Sequence, residues 1–171
     1  MATSRAESDP TRYLRRELAK IAKPKHFAAV TEPKELGPLL VQLDHYDGTP
    51  IVQAALKLTP LVFVRPGELR KALWSEIDLD AAEWRYRVTK TNTDHIVPLS
   101  RQAVAVLRQI QPLTGQDQYV FPSFRTKCRP MSDAAITAAL RRLGIPKDKA
   151  SAHGFRATAR TILDEVLGVH V

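Results

Sequence analysis

The chain has 171 residues, 44% of them hydrophobic and 26% charged, enough for one domain with a real core and a short appendage. Lys plus Arg (26) exceed Asp plus Glu (18) for a formal charge of +8, a balance that favours a polyanionic partner. A single cysteine (Cys128) rules out an internal disulfide, and a polar start with no apolar run of membrane-spanning length leads to the expectation of no secretory signal, no membrane span and a cytoplasmic location.

The chain opens on a polar stretch and a short basic helix, "TRYLRRELAKI", which Pro24 breaks. In "TEPKELGPLLVQLDHYDG", Thr31 is an N-cap candidate, Pro33 suits a first turn and Gly48 marks a stop. "TPIVQAALKLTPLVFV" is apolar on most faces and predicts a buried central helix, able to bend at Pro60. "RPGELRKAL" starts a short helix. From Trp74 to Leu99, "LWSEIDL", "EWRYRVT" and "HIVPL" alternate or carry β-branched and aromatic residues, separated by the turn-like "DAA" and "KTNTD". They predict a three-stranded antiparallel meander. Ser100 then caps "RQAVAVLRQIQPL", "QYVFPS" reads as extended, Ser132 caps "DAAITAALRRL" and Gly144 ends it. The expected class is α+β, mainly α, with one small sheet packed on helices.

The last helix, "SAHGFRATARTILDEV", carries the first candidate chemistry. Started near His153, it projects His153, Arg156 and Arg160 from one face. Arg156 adds a planar fork for phosphate oxygens to a terminus that already favours anions, and His153 exchanges protons near neutral pH. Arg65 sits where the apolar run meets "RPGEL"; a guanidinium there needs an ion partner or a ligand, and Glu68 is the nearest carboxylate. Lys90 lies at the edge of the "KTNTD" turn, where a lysine is either solvated or able to reach into a groove.

"RPGEL", a lysine on a hairpin turn and "HGFRATART", in that order, resemble the catalytic domain of the tyrosine recombinases, the phage-type integrases. "LVFVRPGELRKALWSEIDLDAAEWR" and "HIVPLSRQAVAVLRQIQPLTG" are similar to the branch carried by prophages and genomic islands, and the likeness runs over residues 25–169. The resemblance implies that Arg65 and Arg156 clamp the scissile phosphate, that Glu68 steadies the site, that Lys90 protonates the leaving 5′ oxygen and that His153 assists proton transfer. It implies double-stranded DNA (attachment sites) as partner, no cofactor and no metal, and a tetramer among intact relatives. Two cationic forks can stabilise a phosphoryl transition state without a metal.

The family places its nucleophilic tyrosine downstream of His-x-x-Arg, whereas Tyr13, Tyr46, Tyr86 and Tyr119 all lie upstream. Tyr86 and Tyr119 read as sheet or core residues. The expectation is therefore a catalytic-domain fragment without a nucleophile: residues 1–24 as the tail of a core-binding domain and linker, residues 25–171 as a C-terminally incomplete catalytic domain. On this reading assembly is doubtful and the chain binds DNA phosphate without cutting. One alternative is a non-catalytic DNA-binding remnant on the same fold. Another is a self-associating protein using Ile162, Leu163, Val166 and Leu167. The five scattered histidines form no H-E-x-x-H pattern, and neither a G-x-S-x-G elbow nor a Walker or Rossmann glycine pattern is present.

Overall fold

The computed structural model describes residues 27–88 and 91–169. The N-terminal helix expected from the sequence, Lys90, and His170 with Val171 lie outside the described residues.

Helix α1 (Pro33–Asp44) begins with a proline at its first position, but its N-cap is Glu32 and no side chain caps it, so Thr31 does not play that part. Helix α2 (Pro50–Val62) is the centre of the core. Ala55 and Leu56 are wholly buried and Leu58 nearly so, because α1, α4, α5 and α6 all pack against it. Pro60 sits in its last turn, where it removes one N–H that the helix would otherwise pair with a carbonyl four residues back. The helix closes on Phe63 in the left-handed region (φ 52°), an unusual place for a bulky residue, and the chain passes into the single turn α3 (Pro66–Leu69).

The sheet is the expected antiparallel meander, in the order β1 (Ile77–Asp78), β2 (Glu83–Val88), β3 (Thr93–Pro98). Register pairs Trp84 with Val97 and Tyr86 with His95. Alternation puts Trp84, Tyr86 and Val88 on one face, with Trp84 and Val88 buried, and leaves Arg85 and Arg87 exposed. The first strand is shorter than "LWSEIDL" predicts. Glu76 Oε2 accepts the Leu73 N–H at 3.1 Å and curls Trp74–Glu76 into a 3₁₀ turn, a local bond that competes with the ladder. The Asp78 carboxylate closes the next turn by accepting the N–H groups of Asp80 and Ala81.

Helix α4 (Arg101–Thr114) is capped as the sequence predicts: the Ala103 N–H donates to Ser100 Oγ at 3.2 Å. "QYVFPS" joins no strand of the sheet; Tyr119 bridges Leu73, and Pro122 bridges Pro130. Helix α5 (Ala135–Arg142) starts later than its sequence predicts. The Ser132 backbone carbonyl, not its hydroxyl, accepts the Ala135 N–H, and Ala134 holds the N-cap position. Gly144 (φ 75°) ends α5, and the Ile145 N–H returns to the Leu140 carbonyl at 3.1 Å. Helix α6 (Gly154–Thr161) runs into a wide turn, Ile162–Val166. There Ile162 and Leu163 are half-buried, while Val166 and Leu167 are exposed. No helix among the described residues is long and apolar enough to cross a membrane.

Candidate active site

Two separate elements, the start of α3 and the start of α6, bring the cationic candidates together. Arg65 stands at the N-cap of α3, where its extended backbone (φ −66°, ψ 143°) turns the chain away from α2. Pro66 starts the helix and Glu68 falls at its third position, so the carboxylate reaches back: the Arg65 N–H donates to Oε2 at 2.9 Å. The Arg65 guanidinium donates to Oε1 at 2.7 Å, and the Tyr86 hydroxyl donates to Oε2 at 3.0 Å. Glu68 therefore has a bond from backbone, arginine and phenol, and its side chain is only 12% exposed against 42% for Arg65.

The charge states follow from this arrangement. Burial alone pushes the Glu68 carboxyl up, but the Arg65 amide, the Arg65 guanidinium and the Tyr86 phenol outweigh it and hold the group below its ordinary value. Burial, then the Glu68 charge and the bond to it, push the Tyr86 phenol well above its ordinary value, against a smaller pull from Arg156 and Arg65. Tyr86 is thus a locked donor. Its ring is fixed between Trp84 (4.7 Å) and His95 (5.4 Å, edge-on).

His153 is the residue before α6, and the Gly154 N–H behind it donates to Ser151 Oγ at 3.0 Å. Burial first, then the charges of Arg156 and Arg65, lower the imidazole from its ordinary value, so it is neutral near pH 7. Arg156 Nη1 donates to the Phe63 carbonyl at 2.6 Å. That carbonyl belongs to the C-terminal end of α2, where exposed carbonyls favour a cation. Arg65 and His153 both line one open groove of about 930 Å³, with Tyr86 and Tyr119 in its walls and Lys71 and Lys147 among its margins. Among the described residues no group of three or more His, Cys, Asp or Glu side chains could hold a metal ion.

The sequence therefore named Arg65, Glu68, His153 and Arg156 individually, and the fold gathers them; Lys90 lies outside the described residues. Sequence reasoning missed Tyr86 as a partner of Glu68, the Phe63 carbonyl as a partner of Arg156, and Phe27, whose ring stacks on His153 with centroids 4.5 Å apart. A glycine at the first position of α6 was the available signal for the last of these.

Residues 34–167 match the model of the phage integrase family. The chain belongs to that family. It is 38% identical over 149 residues to "Putative protein IntB" of Escherichia coli (strain K12), covering 78% of this chain and 38% of that protein. It is 35% identical over 158 residues to the integrase of Enterobacteria phage P4, covering 84% of this chain and 36% of the phage protein. The chain thus spans well under half the length of these two relatives. Among solved structures, the XerH site-specific recombinase bound to palindromic difH substrate (post-cleavage complex) superposes with TM-score 0.66 at 16% identity, over 88% of this chain and 46% of that one. The fold is that of a tyrosine recombinase catalytic domain, as the α+β reading expected.

Proposed function

We propose that this chain forms the phosphate-gripping part of a tyrosine recombinase active site acting in site-specific DNA recombination, and that the attacking tyrosine comes from residues outside this sequence. What supports the reading is that Arg65 at the start of α3 and His153 at the start of α6 line one groove, with the Arg156 charge acting on His153 and its guanidinium held by the Phe63 carbonyl, in a member of the phage integrase family. The two guanidiniums bind non-bridging oxygens of the scissile phosphate and stabilise the charge that develops there. A tyrosine oxygen bonds to phosphorus as the bond to the 5′ oxygen breaks, leaving a 3′-phosphotyrosine and a 5′-hydroxyl. His153, neutral near pH 7, assists removal of the phenolic proton, and Lys90 delivers a proton to the departing 5′ oxygen. Double-stranded DNA at attachment sites is the substrate.

The described tyrosines fit the second half of the proposal. The Tyr86 phenol is committed to Glu68, and Tyr46 is 4% exposed with its hydroxyl accepting from Arg142. Tyr119 stands in the groove wall, its backbone bridged to Leu73. The test is a nicked attachment-site duplex that traps covalent intermediates. The chain alone should bind this duplex with strong salt dependence and give no adduct, and a polypeptide carrying the family's C-terminal tyrosine should restore cleavage. An adduct formed by the chain alone and lost in Tyr119→Phe would overturn the assignment of the nucleophile. Binding indifferent to salt would overturn the phosphate site.

A further inference from the structure

The segment ahead of α1 touches the candidate site, and nothing in the proposed chemistry uses it. Phe27 lies face to face with the His153 imidazole, with rings 15° from parallel and centroids 4.5 Å apart. Its neighbour is fastened to the same helix start, because Ser151 Oγ donates to the Ala28 carbonyl at 3.1 Å. The same Ser151 oxygen accepts the Gly154 N–H, so one hydroxyl joins the segment ahead of α1 to the first turn of α6. A Cβ at position 154 would stand 1.9 Å from the Ala28 carbonyl oxygen; only glycine lets the two backbones approach this closely. Phe27 is nonetheless 63% exposed, so it contributes little to the core and lies at the groove mouth.

We propose that Phe27 is a positioning residue for His153, held in place by a latch in which the Ser151 hydroxyl joins the Ala28 carbonyl to the Gly154 N–H and the bare Gly154 Cα lets the two segments close up. The proposal rests on the functional reading only for what His153 does. A free imidazole at a helix start turns about its χ angles, whereas a phenyl ring stacked on one face fixes the ring plane and keeps water from that face. Arg156 and Arg65 add positive charge near the imidazole. Glu68 and Tyr86 line the same groove from α3 and β2, as do Asp133 ahead of α5 and Lys147 beyond it. Arg141 lines it too, but its guanidinium is engaged by the carbonyls of Ile145 and Ala150. Burial and the positive charges of Arg156 and Arg65 favour the neutral imidazole and outweigh the opposing carboxylates of Glu68 and Asp133.

The experiment is a proton NMR titration of His153 in the whole chain without DNA, comparing wild type with Phe27→Ala, Phe27→Trp and Gly154→Ala. Wild type should show ring protons displaced upfield by the stacked phenyl and a midpoint below the ordinary histidine value of about 6.5. Phe27→Ala should abolish the displacement and raise the midpoint toward that value, and Phe27→Trp should restore both. Gly154→Ala keeps the phenyl ring but pushes its segment away, so it should reproduce Phe27→Ala. An unchanged midpoint in a folded Phe27→Ala overturns the positioning role, and a retained stack in Gly154→Ala overturns the latch. Because no DNA is present, failure of DNA binding alongside the expected titration would sink the functional reading and leave the stack standing.

Discussion

Replacing Glu68 by Gln tests whether the site is held in place before any phosphate arrives. The substitution keeps the shape and removes the charge. Gln offers one acceptor oxygen where three donors now converge, and its amide must meet either the Arg65 guanidinium or the Arg65 amide and Tyr86 hydroxyl as a second donor. A hydrogen bond to a charged group contributes about 1.5–3 kcal/mol. Arg65 is 42% exposed, so water recovers part of that loss and about 1–2 kcal/mol remains. For a chain of this size the melting temperature should fall by roughly 2–8 °C at pH 7. The Glu68 carboxyl is held below its ordinary value of 4.5 in the folded chain. Its contribution is therefore fully present above the unfolded value and lost as pH falls through the folded one. Thermal unfolding of both proteins from pH 7 downward should show a constant gap that narrows below about pH 4.5. DNA binding at pH 7 should not weaken, since removing a negative charge from the proposed phosphate groove favours a polyanion. No gap at pH 7, or one that persists undiminished into acid, would refute the buried, ionised carboxylate.

Tyr86→Phe removes one bond onto the same carboxylate and should cost about 1 kcal/mol in urea unfolding. Combined with Glu68→Gln it should cost less than the sum, because the phenol's partner is already altered; strict additivity would separate the two residues. Arg156→Ala should reduce the slope of log affinity for duplex DNA against log salt by about 0.9, the value for one lost phosphate contact, as measured by fluorescence anisotropy across a salt series. At Gly144 an added Cβ meets no atom within 4 Å, so Gly144→Ala should cost about 1–2 kcal/mol through its positive φ alone, with packing intact by near-UV circular dichroism.

The sequence made the candidate site legible wherever chemistry is written locally. Arg65 beside "PGEL", with a carboxylate three positions on, and His-x-x-Arg at a helix start could each be read from a few neighbouring residues. Tyr86 could not. Its inward position on β2 identifies a half-buried ring, but which carboxylate the hydroxyl meets depends on how the sheet docks against α3, eighteen positions upstream. Phe27 lies farther still from its partner, and no periodicity links a residue ahead of α1 to the start of α6. The misjudged elements share a cause. Side chains or backbone groups nearby offered a competing bond: Glu76 to Leu73 and the Ser132 carbonyl to Ala135. Local propensity alone cannot weigh such bonds against a strand ladder or a capped helix start.

The two arginines are held by different means, and that difference sets how the site should fail. Each is fixed through a guanidinium nitrogen, Arg65 by the Glu68 carboxylate and Arg156 by the Phe63 carbonyl at the end of α2. Their other guanidinium donors have no hydrogen-bond partner among the described residues, so each fork is oriented while most of its donors stay available to phosphate. A carbonyl does not titrate, whereas a carboxylate does. Acid therefore loosens Arg65 while leaving Arg156 in place, and it charges His153 in the same direction of pH. The groove gains positive charge as it loses order. If the proposed function holds, ground-state affinity for DNA should then persist or rise at a pH where the geometry proposed for phosphoryl transfer has gone, because attraction to a polyanion depends on net charge and transition-state stabilisation on fixed donors.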